Sequence, residues 1–92
     1  MTSKKKSLAD FKAAHDKSFI VPNKIKAGLA TLGTDGWEYE SDFYKSAGVP
    51  PQDLAKFRQQ FTDNVVIVKN NGKELRVWAG SKALADKMRE MI

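Results

Sequence analysis

Residues 41–61 read SDFYKSAGVPPQDLAKFRQQF, a stretch that predicts two short helices joined by a tight corner. Ser41 can cap the first helix, because its hydroxyl accepts a hydrogen bond from a free N–H of the opening turn. Gly48 is expected to end that helix, since glycine adopts the left-handed conformation of many helix C-termini without steric cost. A proline pair follows, and proline is tolerated at the first helical position, so the second helix is predicted over 51–61.

The second helix of this pair has an apolar face and a polar face. Leu54, Phe57 and Phe61 recur at helical spacing, and this stripe must pack against the preceding helix. The opposite face is rich in glutamine and lysine, which can pair with adenine and donate to guanine in the major groove of DNA. The pattern therefore indicates a base-reading surface, and a purely structural helical hairpin is the alternative.

The same stretch resembles a helix-turn-helix DNA-binding unit. In that family an apolar residue follows the corner glycine, and further apolar residues stand five and eight positions later. Here Gly48, Val49, Leu54 and Phe57 match this pattern. Tyr44 departs from it, because a small residue is usual four positions before the glycine.

Length, composition and charge limit the possible function classes. The chain has 92 residues, 41% of them hydrophobic, which supports one domain with one core. It has no cysteine, so disulfides and thiolate metal sites are excluded and an intracellular setting is natural. No apolar run approaches the roughly 18 residues of a membrane span, and the N-terminus lacks the apolar core of a signal peptide. We therefore expect a cytoplasmic protein.

The net charge of +5 is unevenly distributed along the chain. Residues 1–26 have seven lysines against two aspartates, which gives +5, and residues 27–55 have one lysine against five acidic residues, which gives −4. Residues 56–92 have eight basic against four acidic residues, which gives +4. Basic ends suit a polyanion such as DNA or RNA, and the alternative is that the lysines are merely solvated. Residues 1–6 are predicted to be a disordered basic arm.

Two helices are predicted between the arm and the corner. Ser7 can cap a helix over 8–17, and residues 18–21 are predicted as a short strand or a crossing, because Pro22 pushes Val21 towards an extended conformation. A second helix is predicted from Pro22 to Gly33, where Gly28 indicates close packing against a neighbour. A brief strand over 36–40 is indicated by the alternation of Trp37 and Tyr39 with two glutamates.

A β-hairpin is predicted after the corner, within NVVIVKNNGKELRVWA (residues 64–79). Asn71-Gly72 favours a type I′ turn, because both central residues need positive φ. Counting outward from a two-residue turn places Lys69 opposite Glu74 and Val65 opposite Trp78. The face predicted to enter the core contains Val66, Val68, Leu75 and Val77. Arg76 and Trp78 are expected nearer solvent.

The last predicted element is a helix over 82–92, capped by Ser81. Met88, Met91 and Ile92 lie towards its end, and they are interpreted either as closing the core of a monomer or as the interface of a homodimer.

The whole order of elements resembles the winged helix-turn-helix family from about Pro22 to Gly80. The predicted fold class is α+β and mainly helical, with a hairpin wing at about 65–78, a C-terminal helix and a single domain over 7–92. The resemblance implies that helix 51–61 enters the major groove and that the wing contacts the DNA backbone or the minor groove. The candidate DNA-binding residues are Gln52, Lys56, Arg58, Gln59 and Gln60 on the helix, Lys69, Lys73 and Arg76 on the wing, and Lys4, Lys5 and Lys6 on the arm.

The predicted function is the binding of double-stranded DNA. The protein is expected to be a small regulator or a phage-type accessory or packaging factor. Its expected location is the cytoplasm, where it is associated with the nucleoid or lies in the cytoplasm of a host. A winged-helix adaptor that binds another protein and has no nucleic-acid affinity is the alternative, and RNA binding is a third reading. An enzyme is not expected. His15 is the single histidine, the sequence has no glycine loop of the kind that cradles phosphate, and no pair of carboxylates has a spacing typical of catalysis. No catalytic residue, metal site or cofactor is predicted.

Overall fold

Residues 16–92 are described by the computed structural model of the chain. Over this range the chain forms four α-helices and a three-stranded antiparallel sheet. The elements are α1 (Lys17–Leu32), β1 (Trp37–Tyr39), α2 (Glu40–Ala47), α3 (Pro51–Phe57), a 3₁₀ helix (Arg58–Asn64), β2 (Val65–Asn70), β3 (Lys73–Ala79) and α4 (Lys82–Glu90). The basic arm with Lys4, Lys5 and Lys6, and nearly all of the helix predicted over 8–17, lie outside the described residues.

Helix α1 begins five residues before the predicted start at Pro22, so the strand or crossing predicted over 18–21 is wrong. Asp16 caps the helix, because its carboxylate accepts a hydrogen bond from the backbone N–H of Ser18 at 2.9 Å. Pro22 lies within the helix, where its ring removes one backbone hydrogen bond. One face of the helix is buried through Val21, Ile25 and Leu29. The buried residues stand on both sides of Pro22, and their burial outweighs the tendency of proline to interrupt a helix.

The corner between α2 and α3 forms where it was predicted. Gly48 ends α2 in the left-handed conformation, with φ 69° and ψ 35°, and α3 starts at Pro51. The predicted cap at Ser41 is wrong, because β1 runs directly into α2 and Ser41 lies inside the first helical turn. The close packing predicted at Gly28 is confirmed, since a Cβ there would lie 3.1 Å from the Cβ of Ala47.

The helix predicted over 51–61 is shorter than expected. The α-helix ends at Phe57, and the chain continues as the 3₁₀ helix, within which Phe61 has non-helical angles of φ −124° and ψ 29°. Phe61 packs there against the core, with its ring centroid 6.1 Å from that of Trp78. The apolar stripe of Leu54, Phe57 and Phe61 therefore packs inward as predicted, although it does not lie on one continuous α-helix.

The hairpin has the predicted register. Val65 pairs with Trp78, Lys69 with Glu74 and Asn70 with Lys73, and the turn residues Asn71 and Gly72 have φ values of 51° and 79°. Strand β3 is central, because the sheet order is β1-β3-β2 and both neighbours pair with it in antiparallel fashion.

Both faces of the sheet contribute to the core. Helix α4 packs on one face, over Val66 and Val77, which are buried as predicted. The other face meets α1, α2 and α3 through Trp78, which is fully buried and stacks on Phe43 at 4.8 Å between ring centroids. The expectation that Trp78 lies nearer solvent is therefore wrong. Leu75, near the hairpin tip, was predicted to enter the core but is 38% exposed.

Helix α4 is capped by Ser81 as predicted, with the hydroxyl accepting from the backbone N–H of Leu84 at 3.1 Å. The helix ends at Glu90, two residues before the predicted end. Met88 packs against the core, whereas Met91 and Ile92 are 84% and 64% exposed, so only Met88 closes the core. None of the helices in the described range is long and apolar enough to cross a membrane.

Candidate nucleic-acid interface

The outward face of α3 carries amide and basic groups and no exposed carboxylate. Gln52 and Lys56 are both exposed and lie four residues apart, which places them on one side of the helix. The acidic residue of this helix, Asp53, is only 3% exposed and lies 3.3 Å from the ammonium of Lys17 on α1. The negative charge of α3 is thus turned inward and paired.

Gln59 and Gln60 are also exposed, but they belong to the 3₁₀ helix. A 3₁₀ helix advances about 120° per residue, whereas an α-helix advances about 100°. The face that was predicted to carry Gln52, Lys56 and Gln59 together therefore changes direction after Phe57. Gln59 lines a cleft beside the hairpin instead of extending the row on α3.

Arg58 is part of a network that joins the helices to the sheet. Its guanidinium forms two hydrogen bonds with the carboxylate of Glu40, one of them from Nε to Oε2 at 2.8 Å. The indole N–H of Trp78 donates to the same Oε2 at 3.0 Å. Arg58 was predicted to contact DNA, and the structure gives it this internal partner.

The same network sets the protonation of Glu40. Burial raises the pKa of the Glu40 carboxyl, but the hydrogen bonds from Arg58 and Trp78 and the positive charges of Arg58 and Arg76 outweigh burial. The pKa of Glu40 is consequently below its ordinary value. The hydrogen bond to Glu40 likewise raises the pKa of Arg58.

A cleft of about 460 Å³ lies between the 3₁₀ helix and the hairpin. Its lining is made of Arg58, Gln59, Thr62, Val65, Ile67, Arg76 and Arg89. The fold thus brings together three predicted site residues from two separate elements. Two apolar side chains from β2 contribute to the wall, so the cleft combines an apolar surface with guanidinium groups.

Arg89 of α4 was not among the predicted site residues. Its guanidinium donates to the backbone carbonyls of Thr62 and Val65 at 2.8 and 2.9 Å, and to the carboxylate of Asp86 at 2.8 Å. These contacts join the end of α4 to the start of β2. Sequence reasoning had no signal for this role, because a basic residue in the last turn of a helix is common.

The hairpin carries two exposed lysines. Lys69 lies near the end of β2, and Lys73 is the first residue of β3, directly after the turn. Lys69 stands opposite Glu74 in the ladder. Among the ion pairs formed within residues 16–92, none involves Lys56, Lys69 or Lys73. These three ammonium groups are therefore available to an external anion.

The acidic segment, residues 35–42, includes β1 and therefore lies at the edge of the sheet opposite β2. Glu38 of β1 accepts a hydrogen bond from the hydroxyl of Ser46 at 3.0 Å, while Asp35 and Asp42 are exposed. Because β1 and β2 are the two outer strands, β3 separates Glu38 on β1 from β2. Glu40 differs from the other carboxylates of this segment, because it bonds Arg58 at the cleft. The described range 16–92 contains no group of three or more histidine, cysteine or acidic side chains arranged to hold a metal ion.

Comparisons with protein-family models, with curated proteins and with solved structures gave no match to this chain. The resemblance to the winged helix-turn-helix family consequently stays a prediction from the order of elements.

Proposed function

We propose that the protein binds double-stranded DNA through the exposed face of α3 and the tip of the hairpin. The proposal rests on how charged side chains are distributed between the buried and the exposed sides of α3. Asp53 is buried against Lys17, so the exposed side of the helix offers Gln52 and Lys56 without a competing carboxylate. Amide and ammonium groups on one helical face are suited to base edges and phosphates.

The architecture supports the same proposal. A helix and a short strand precede the α2–α3 corner, and a hairpin follows it, in the order typical of winged helices. In such a domain the second helix of the pair enters the major groove, and the wing contacts the backbone. Lys73, next to the hairpin turn, is exposed and has no ion-pair partner among residues 16–92. We assign it to a phosphate contact.

We assign other roles to the remaining predicted residues. Arg58 holds Glu40, so we assign it to the scaffold that positions α3. Gln59 and Arg76 line the cleft, so we leave them out of the proposed set of DNA contacts. Gln52, Lys56 and Lys73 are the residues on which the proposal rests.

One observation favours the second candidate, an adaptor that binds protein. Trp37 and Tyr39 are 44% and 43% exposed, and exposed aromatic side chains are typical of protein interfaces. They lie at the β1 edge, away from α3, so a protein contact there is compatible with DNA binding.

A salt titration with random-sequence duplex DNA tests the proposal. We expect the affinity to fall steeply as salt rises, because phosphate contacts release counterions. Lys73→Ala should weaken binding to all sequences alike and lower the salt slope by about one. Lys56→Ala should cost about 1–3 kcal/mol of preference for a site selected from a random pool. Deletion of residues 1–6 should also reduce affinity at low salt.

Lys87→Ala is the matched control, because Lys87 is an exposed lysine on α4, which packs on the face of the sheet opposite α3. It removes the same charge and should change affinity less than either variant. Absence of binding at low salt would refute the proposal, and so would an equal loss in the Lys87 variant.

A further inference from the structure

The two edges of the sheet differ in charge and shape. Strands β1 and β2 each pair only with β3 within residues 16–92, so both have an outer edge that pairs with no strand there. Edge strands are natural places for association with another chain, because their backbone groups and flanking side chains are accessible.

The β2 edge combines apolar surface with basic groups. Ile67 is 49% exposed and contributes to the cleft that Arg76 and Arg89 also line. It also contributes to a second recess of about 470 Å³, together with Lys69, Glu74 and Ile92. Ile67 lines both recesses. Apolar side chains at this exposure suit a protein surface better than a phosphate backbone.

The β1 edge has the complementary character. Trp37 and Tyr39 lie on the same side of the strand, and their rings contact edge to face at 5.2 Å between centroids. The segment from Asp35 to Asp42 contains four acidic residues and no basic one, and three of them, Asp35, Glu38 and Asp42, form no ion pair within residues 16–92. It therefore presents aromatic side chains flanked by negative charge.

We propose that a second copy of this chain is the partner of the β2 edge, and that it docks through its own β1 edge, head to tail. Asp35, Glu38 and Asp42 of one molecule would face Arg76 of the next, which forms no ion pair within residues 16–92, and charge complementarity of this kind orients an association. Tryptophan, tyrosine and arginine dominate binding energy at protein interfaces, and guanidinium groups favour the faces of aromatic rings.

A two-fold arrangement is disfavoured by the same charges. Two β2 edges would bring Arg76 of both copies together, and two β1 edges would bring together the carboxylates of Asp35, Glu38 and Asp42. A head-to-tail contact avoids both repulsions, and it leaves one unused edge at each end of a pair. Such contacts continue into open chains of molecules unless the rotation between copies closes a ring. This inference is independent of the proposed DNA binding.

The test uses one variant for each edge, at positions that are already exposed. Ile67→Glu places a negative charge on the β2 edge, and Trp37→Arg places a positive charge on the β1 edge. Sedimentation velocity of the whole protein, from micromolar to millimolar concentration, should show an average mass for the wild type that rises past the dimer. Each variant alone should associate at least about tenfold more weakly.

The equimolar mixture of the two variants is the decisive sample. Each variant keeps one intact edge, so the mixture should form a heterodimer and nothing larger. A wild type that stays monomeric at every concentration would overturn the proposal, and so would a wild type that stops at a dimer. A mixture that stays monomeric would overturn it as well.

Two controls separate this result from misfolding and from the DNA proposal. Thermal melts followed by circular dichroism should show that both variants fold. Lys56→Ala should associate like the wild type even though it is expected to lose sequence preference on DNA, so either proposal can fail without the other. Salt should weaken the association, because exposed charges are screened.

Discussion

The network around Glu40 gives the sharpest test of how the helices are attached to the sheet. Replacing Arg58 by alanine removes two hydrogen bonds from the Glu40 carboxylate and leaves it with the indole N–H of Trp78. Hydrogen bonds to charged groups contribute about 1.5–3 kcal/mol, and breaking a fully buried ion pair costs about 3–5 kcal/mol. The Arg58 and Glu40 side chains are 30% and 18% exposed, so solvent screens part of this cost. We expect Arg58→Ala to lower the free energy of unfolding by about 2 kcal/mol at pH 7.

The loss should depend on pH. The pKa of Glu40 is lowered in the folded protein, so its charged form contributes stability that is present above the ordinary carboxyl range. That contribution is lost as the pH falls through the lowered pKa. Without Arg58, burial still raises the pKa of Glu40, and fewer groups remain that lower it. The difference in stability between wild type and variant should therefore be largest near pH 7 and shrink below about pH 4.

Urea unfolding of both proteins at a series of pH values measures this difference. Lys82→Ala is the control, because Lys82 and Asp86 form an ion pair at 2.8 Å whose side chains are 63% and 49% exposed. A solvent-exposed pair contributes little, so this variant should unfold like the wild type. A difference for Arg58→Ala that stays constant from neutral to acidic pH would refute the role assigned to Glu40. Equal losses in the two variants would do the same.

Two further predictions concern packing. Gly80→Ala should destabilise the protein far more than Gly48→Ala in thermal melts. A Cβ at Gly80 would lie 1.8 Å from the backbone oxygen of Gly33, whereas Gly48 has open space and only a left-handed conformation that costs about 1–2 kcal/mol. Phe43→Ala should cost about 3–5 kcal/mol in urea unfolding, and more than Phe57→Ala, because Phe43 is fully buried against Trp78 and Phe57 only partly. The reverse order would show that the Phe43–Trp78 stack is not the centre of the core.

Part of the fold could be predicted because it depends on neighbouring residues in the chain. Asn71-Gly72 fixes the hairpin turn, and counting from it gives the register of the whole ladder. Gly48 ends α2 because few other residues adopt its backbone conformation, and Ser81 begins α4 because its hydroxyl reaches a free N–H of the first turn.

The candidate site was predicted only in part. Lys56 and Gln52 share an exposed face as expected, because residues four apart on a helix are neighbours. The cleft could not be predicted, since it joins Arg58 and Gln59 to Arg76 and also uses Arg89, which has no distinguishing local pattern.

The sequence by itself determined which residues share a face of a strand or helix, because that depends on local periodicity. Only the tertiary structure decided which of those faces are covered. Trp78 lies on the face of β3 that the alternation of the strand predicts, yet it is buried because helices pack on both faces of the sheet. Helix α1 runs through Pro22 because burial of its apolar face outweighs one lost hydrogen bond, and Arg58 meets Glu40 across 18 positions of sequence. Burial and ion pairing between distant residues depend on how the elements pack, and local patterns alone do not specify that packing.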